Sequence, residues 1–313
     1  MKKLIFTTII FLLILSGCSN ISQTKGEMSK EGSKKLQIVT TFYPMYYFTK
    51  QVTGNSATVD FLIPNGVEPH DWEPTVRDME KIQNADVFIY DSRYFETWAD
   101  KVLKSIGSSN LKVLEATKGI QLLDGNFLED GNQQKGNGSI KDPHVWLSPV
   151  LAQQEVDNIA KTLEESDPKH KEQYDKNAAA FKAKLVDLDK LYKDTIDKAN
   201  QKEFVTQHAA FQYLAKQYGL IQIPIAGLSP DVEPTLGKLE ELANLTKEKN
   251  IHVIYFEGLT SAKVAQTLAN EIGAKTEVLN PLEGLTKEDQ KQGLDYIGVM
   301  KKNLEALKLS IYR

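Results

Sequence analysis

Apolar residues along the chain fall into two rhythms. Short apolar runs at 36–42, 57–64, 85–91 and 112–115 read as buried strands, and four more follow at 203–206, 220–226, 252–256 and 275–279. Between them lie stretches with three- and four-residue apolar spacing, such as 236–249 and 262–272, which read as helices. Strands alternating with helices predict an α/β protein of two lobes, each with a mostly parallel sheet flanked by helices. The segment 171–201 separates the two sets. It lacks proline and glycine, and Tyr174, Phe181, Leu185, Leu188, Tyr192 and Ile196 recur at helical steps, predicting one long amphipathic helix. A helix of that length would join the lobes as a rigid backbone and oppose large domain closure. The expected organisation is a first lobe at 36–170, a linking helix at 171–201 and a second lobe at 202–313.

The N-terminal region breaks this pattern. Lys2 and Lys3 precede an apolar run at 4–15, too short for a comfortable membrane span, and small residues then lead to Cys18. Residues 1–17 read as an export signal, and Leu15-Ser16-Gly17-Cys18 resembles the lipobox of bacterial lipoproteins, whose cysteine becomes the lipidated first residue. Cys18 is the only cysteine, so no intramolecular disulfide can form and lipidation explains its place better than catalysis. Residues 18–35, rich in Ser, Lys and Gly, read as a flexible tether. The expected address is the extracytoplasmic face of a cell membrane, held by the lipid. A formal net charge of −4 argues against a nucleic-acid partner. The Gly- and Asn-rich stretch 119–141 reads as a surface loop entering directly before Asp142, over the mouth of a site.

Candidate chemistry comes from the histidines. Two of the five lie in near-identical frames, Glu68-Pro69-His70-Asp71-Trp72-Glu73-Pro74 and Asp142-Pro143-His144-Val145-Trp146-Leu147-Ser148-Pro149. One such turn alone would be an ordinary helix start. The pair, with His208 at the end of a third apolar run, points to a shared metal, and the tryptophans could wall off solvent. All three histidines fall in strand-to-helix connections, where parallel sheets place their ligand crevice, so a metal can bridge two facing lobes. A carboxylate would complete the shell. Glu283, in a Pro/Gly-punctuated loop, is preferred over Glu257, which reads as a supporting residue or alternative ligand. His170, in a charged cluster, and His252, opening a strand, read as structural or surface residues.

Together with Thr41-Phe42-Tyr43-Pro44 and Ala85-Asp86-Val87, these motifs resemble the metal-binding lipoproteins of bacterial zinc/manganese ABC importers, over nearly all of the mature chain. The resemblance implies two α/β lobes bridged by a helix, one buried metal between them, and delivery of that metal to a membrane permease by a monomeric receptor. By position it carries over His70 and His144 as ligands, with His208 and Glu283 at the third and fourth places. Three imidazoles and one carboxylate suit tetrahedral Zn(II), whereas a manganese site would exchange an imidazole for oxygen. The loop 119–141 carries no histidine, unlike many zinc-receptor relatives, and the chain is expected to have no room for an additional zinc-binding domain.

Two other classes compete. A zinc-dependent hydrolase would use three histidines, an open water position and Glu257 as base, but ligands from two distant lobes and an available fourth donor oppose it. A cell-adhesion role, for which some relatives are named, finds no independent support in repeats or an exposed aromatic patch. The reading is therefore a receptor and not an enzyme.

Overall fold

The computed structural model describes residues 35–107, 110–125, 140–230 and 234–312. The export signal, Cys18, nearly all of the tether and the tip of the 119–141 loop lie outside the described residues. Four parallel strands form the first sheet: β1 (Leu36–Thr40), β2 (Ala57–Phe61), β3 (Val87–Tyr90) and β4 (Lys112–Glu115). The second holds β5 (Glu203–Thr206), β6 (Ile221–Pro224), β7 (Val253–Phe256) and β8 (Lys275–Val278). Both have the same topology, with orders β2-β1-β3-β4 and β6-β5-β7-β8 and every pairing parallel. The expected α/β fold with two mostly parallel sheets is the fold observed.

Several strands end sooner than their apolar runs. The run at 36–42 stops as strand at Thr40, because Phe42 becomes the N-cap of α1 (Tyr43–Thr53), which carries Pro44 in its first turn. The β1–β2 register ends at Thr40 and Phe61, and the Leu62 and Ile63 N–H groups donate to the Thr40 and Thr41 carbonyls as both chains leave the sheet. The first lobe continues with α2 (Val76–Gln83), α3 (Ala99–Ile106) and α4 (Pro149–Ser166). A Thr75–Asp78 capping box starts α2, and Ser148 caps α4 with Pro149 at its first position.

The long helix α5 (Lys171–Ile196) follows a short 3-10 turn at Pro168–His170. It ends five residues before the expected 201, because Ile196 is the last residue of its buried stripe and the chain must then enter β5. At about 1.5 Å per residue it is roughly 39 Å long. It is not a bare strut: it packs on α1 and α4 of the first lobe, and on α6 (Gln212–Tyr218) and α10 (Tyr296–Ile311) of the second. The remaining helices are α7 (Leu236–Glu248), α8 (Lys263–Ile272) and α9 (Lys287–Lys291).

One apolar core runs through both halves, from Ile38 and Phe48 through Phe181 and Tyr192 to Tyr296 and Ile311. A smaller cluster of Val205, Ile254, Leu242 and Leu268 fills the outer side of the second sheet. At the junction Tyr296 meets Phe48 edge-on at 5.0 Å, and the Tyr192 hydroxyl donates to the Met300 carbonyl at 2.6 Å. The strand ends that carry the histidine loops thus face one another across a continuous interior.

Candidate metal centre

Each acid-Pro-His frame folds by the same local rule. A carboxylate two residues before the histidine accepts its backbone N–H, closing a turn that the fixed proline φ favours. In the first frame both oxygens of Glu68 accept the His70 N–H at 3.1 Å, on the long loop after β2. In the second, Asp142 Oδ1 accepts the His144 N–H at 2.9 Å and also meets the ring Nδ1 at 2.8 Å. A 3-10 turn, Val145–Leu147, then leads into α4.

His208 follows β5 directly. Its carbonyl accepts from the Thr206 hydroxyl at 2.7 Å and from the Gln222 side chain at 3.0 Å, and its ring Nδ1 is hydrogen-bonded to Glu257 at the end of β7. Glu283 sits beyond β8 on a loop shaped by amides. Asn280 Oδ1 accepts the Leu282 N–H at 2.7 Å, and Asn303 of α10 bonds both the N–H and the carbonyl of Asn280. Leu282 adopts a left-handed backbone with φ of 59°, which turns Glu283 inward at a steric cost. The first lobe holds this loop too: Trp146 Nε1 donates to the Pro281 carbonyl at 2.8 Å and Asn65 accepts the Leu285 N–H at 3.1 Å.

These four segments bring His70, His144, His208 and Glu283 together, with one potential ligand atom from each lying within 4.8 Å of all the others. Glu283 Oε1 lies 3.2 Å from His70 Nε2, 3.4 Å from His144 Nε2 and 3.4 Å from His208 Nε2, and the last two nitrogens are 3.3 Å apart. Zinc bonds of about 2.0–2.1 Å in a tetrahedron give donor–donor edges of about 3.3 Å. Four of the six donor–donor distances match such an edge and all lie within 4.8 Å, so the cluster could hold one metal ion. With Nδ1 of His144 and of His208 held by carboxylates, Nε2 is the nitrogen that each ring turns to the centre. His144, His208 and Glu283 are buried, and His70 alone reaches solvent, at 10% side-chain exposure.

Glu257 is thus placed behind His208, outside the four converging donors. His170 pairs with Asp167 at 2.7 Å, and His252 is exposed at the foot of β7, so neither joins the cluster. Trp146 stands beside His144 at 5.3 Å, as the frame suggested, but Trp72 turns away onto Trp98, and Phe95 covers His70 at 5.0 Å instead. Nothing near Phe95 in the sequence signals that role. Asp142 as ring partner of His144 was legible only as the acid of its frame. The loop 119–141 is pinched at its base by an Asp124–Lys141 bridge, and Asp142 N–H bonds the Leu123 carbonyl at 3.0 Å. The loop therefore closes directly beside the ring partner of His144.

Charge in the protein alone reflects this packing. Burial works against protonation of His208, but Glu257 and Glu283 outweigh it and push its pKa up to about 10. His144 moves up for the same reason, burial being overcome by Asp142 and Glu283. Burial lowers His70, with Glu283 opposing. Burial would raise Glu283, yet the three imidazoles hold it well below the usual carboxylate range. The centre is preorganised as a carboxylate among imidazoles, two of which hold their protons more tightly than usual, so a divalent cation enters by displacing protons.

The sequence profile of a family described as zinc-uptake complex component A, periplasmic (ZnuA), matches residues 38–309. The chain belongs to the ZnuA family. It is 54% identical over 310 residues to the high-affinity zinc uptake system protein ZnuA of Bacillus subtilis strain 168, covering 98% of this chain and 97% of that one. It is 48% identical over 312 residues to the zinc-binding lipoprotein AdcA of Streptococcus pneumoniae strain R6. That match takes in 98% of this chain but spans only 61% of the longer relative. The solved Zn(II)-bound ZnuA-like domain of S. pneumoniae AdcA superposes with a TM-score of 0.77 at 49% identity, covering 89% of this chain and 100% of that domain. Membership of the ZnuA family thus extends through both sheets and the site loops between them.

Proposed function

We propose that this chain is an extracytoplasmic receptor that captures one Zn(II) between its lobes and delivers it to the membrane permease of an ABC importer. The observation that carries the reading is the convergence of four donors, three nitrogens and one oxygen, within 4.8 Å of one another from two separate sheets. In this reading His70, His144, His208 and Glu283 are the ligands, while Asp142 and Glu257 orient two of the rings. Nitrogen-rich, four-coordinate donors favour Zn(II) over Mn(II), which takes harder oxygen ligands and higher coordination. The zinc-binding relatives support the same cargo.

The geometry also favours a receptor over a hydrolase. Catalytic zinc keeps an open position for water, and here Glu283 occupies the fourth corner. Glu257, the base such an enzyme would need, is committed to His208. The anchor belongs to the same proposal: Cys18 carries lipid, residues 18–35 tether a monomer, and zinc is handed on at the membrane surface. Cys18→Ser should release the protein from membranes or leave it unprocessed, and normal cleavage with full retention would refute the anchor.

Metal-stripped protein titrated with zinc tests the central claim. One Zn(II) should bind per chain, and at a hundredfold excess over its dissociation constant should add about 2.7 kcal/mol of stability. A melting temperature indifferent to zinc would overturn an interlobe site. Cobalt substitution tests the closed shell: wild-type spectra should report four-coordination and ignore azide, whereas Glu283→Ala should respond to it.

A further inference from the structure

The first lobe buries a second set of acids apart from the metal centre. Asp91 at the end of β3, Glu96 five residues later and Glu155 on α4 are 0%, 1% and 0% exposed. Glu96 is well served, since its carboxylate accepts the Thr41 hydroxyl at 2.5 Å, the Asp91 N–H at 3.2 Å and the Ser92 N–H at 3.0 Å. Asp91 and Glu155 are not. Their carboxyls act on each other and the Ser92 hydroxyl acts on Asp91, yet none of their four oxygens has a partner of normal hydrogen-bond geometry among the described residues.

Two buried carboxylates that meet do not readily both ionise, and an unpaired buried charge is costly. The groups that act most strongly on the three acids are one another, hydroxyls and backbone N–H groups, with no base among them. From the surrounding elements, Tyr213 of α6 feels Asp91, Glu155 and Asp142, and Tyr296 of α10 feels Glu155. Tyr213 also donates to the Asp142 carbonyl at 2.6 Å, so the acids lie close behind the turn that presents His144.

We infer that Asp91 and Glu155 hold a shared proton as an acid–carboxylate pair, a buried proton-binding site that clasps the end of β3 to α4. A proton fits better than a metal. Among the described residues, the one group of acids and histidines spaced to hold a metal ion is the His70 centre. Burial is the leading cause of raised pKa at all three acids: Asp91 stands well above the usual range, Glu155 is pushed up to about 8 and Glu96 to about 7. An acid raised by folding stabilises the fold at low pH and loses that contribution as pH rises through its folded pKa. The stability at stake here is therefore present below the ordinary carboxylate range and is lost as pH rises through the raised values of the pair, about 8 for Glu155. Once both acids are ionised, two like charges push β3 and α4 apart.

The test uses the full chain after chelation, so its outcome does not depend on what metal the protein carries. Glu155→Gln and Asp91→Asn keep shape but remove one ionisation. Relative to wild type, each should melt at an equal or lower temperature at about pH 5 and a higher one at about pH 9, so that the difference changes sign. A difference independent of pH means packing alone and overturns the inference. Should a variant not fold, wild type suffices: infrared spectra should show a protonated-carboxyl C=O band at neutral pH that weakens as pH rises through about 8 and disappears once both acids ionise. Absence of that band overturns the shared proton, as does alkaline stability restored by added calcium or sodium, which would place a cation there instead.

Discussion

The two acid-Pro-His frames are close copies in sequence and unequal in structure. Around His144, one oxygen of Asp142 takes both the backbone and the ring N–H, Trp146 packs beside the ring, and the indole N–H is spent on the opposite lobe. Around His70, Glu68 engages the backbone with both oxygens, Trp72 faces Trp98, and the ring alone among the four donors touches solvent. One frame builds the floor of the centre and the other its mouth. The frames differ by one methylene between glutamate and aspartate and by what stands against each tryptophan. A motif repeated in sequence therefore fixes the turn and the direction of the imidazole, while its neighbours decide how firmly the ring is held.

Substituting the two histidines tests the contrast most severely. His144→Ala should lower zinc affinity by more than about a hundredfold, beyond the usual cost of losing an orienting partner, and His70→Ala should cost less because water can enter from the mouth. Competition against a chromophoric chelator reads both, and the reverse order would erase the floor-and-mouth distinction. Asp142→Asn should cost about 10–100-fold by disturbing the tautomer of His144, against less than about tenfold for Glu68→Gln. Equal losses would mean that both acids serve only the turn.

The tryptophans give a smaller contrast, in stability. Trp146→Phe strands the buried Pro281 carbonyl and should cost about 1–3 kcal/mol in a denaturant titration. Trp72→Phe keeps a ring against Trp98 and should cost under about 1.5 kcal/mol. Protons supply the next test. With Glu257 and Glu283 outweighing burial and pushing His208 up to about 10, zinc binding at neutral pH should displace its proton, and affinity should fall as pH falls. Calorimetry in buffers of different ionisation heat should find about one proton released from this ring, and His208→Ala should abolish that share. Smallest of all, His170→Ala and His252→Ala should leave zinc affinity unchanged, because neither ring reaches the centre.

Much of this was legible in the chain. Eight apolar runs gave eight strands, and the stripe from Tyr174 to Ile196 gave α5, because parallel strands and a half-buried helix leave strong periodic signals. The four converging side chains were also readable, three from repeated or strand-terminal histidines and Glu283 from its place after the last strand. Contacts across long sequence gaps were not readable. Phe95 meets His70 through a turn set by Glu96, and the Asp91–Glu155 contact joins residues on β3 and α4 with no shared motif. Strand ends were over-read because an apolar residue such as Phe42 serves a helix start as well as a strand.

The loop bearing Glu283 has a consequence for anyone who would transplant this centre into another scaffold. Its inward turn depends on a leucine held at positive φ, a conformation that leucine itself does not favour. It is imposed by Asn280, which is gripped in turn by Asn303 on α10 and by Asp289 at the start of α9. Grafting the short peptide alone would carry the carboxylate without its aim. The smallest portable unit is the loop together with both helices behind it, so this ligand is inherited as a piece of tertiary structure.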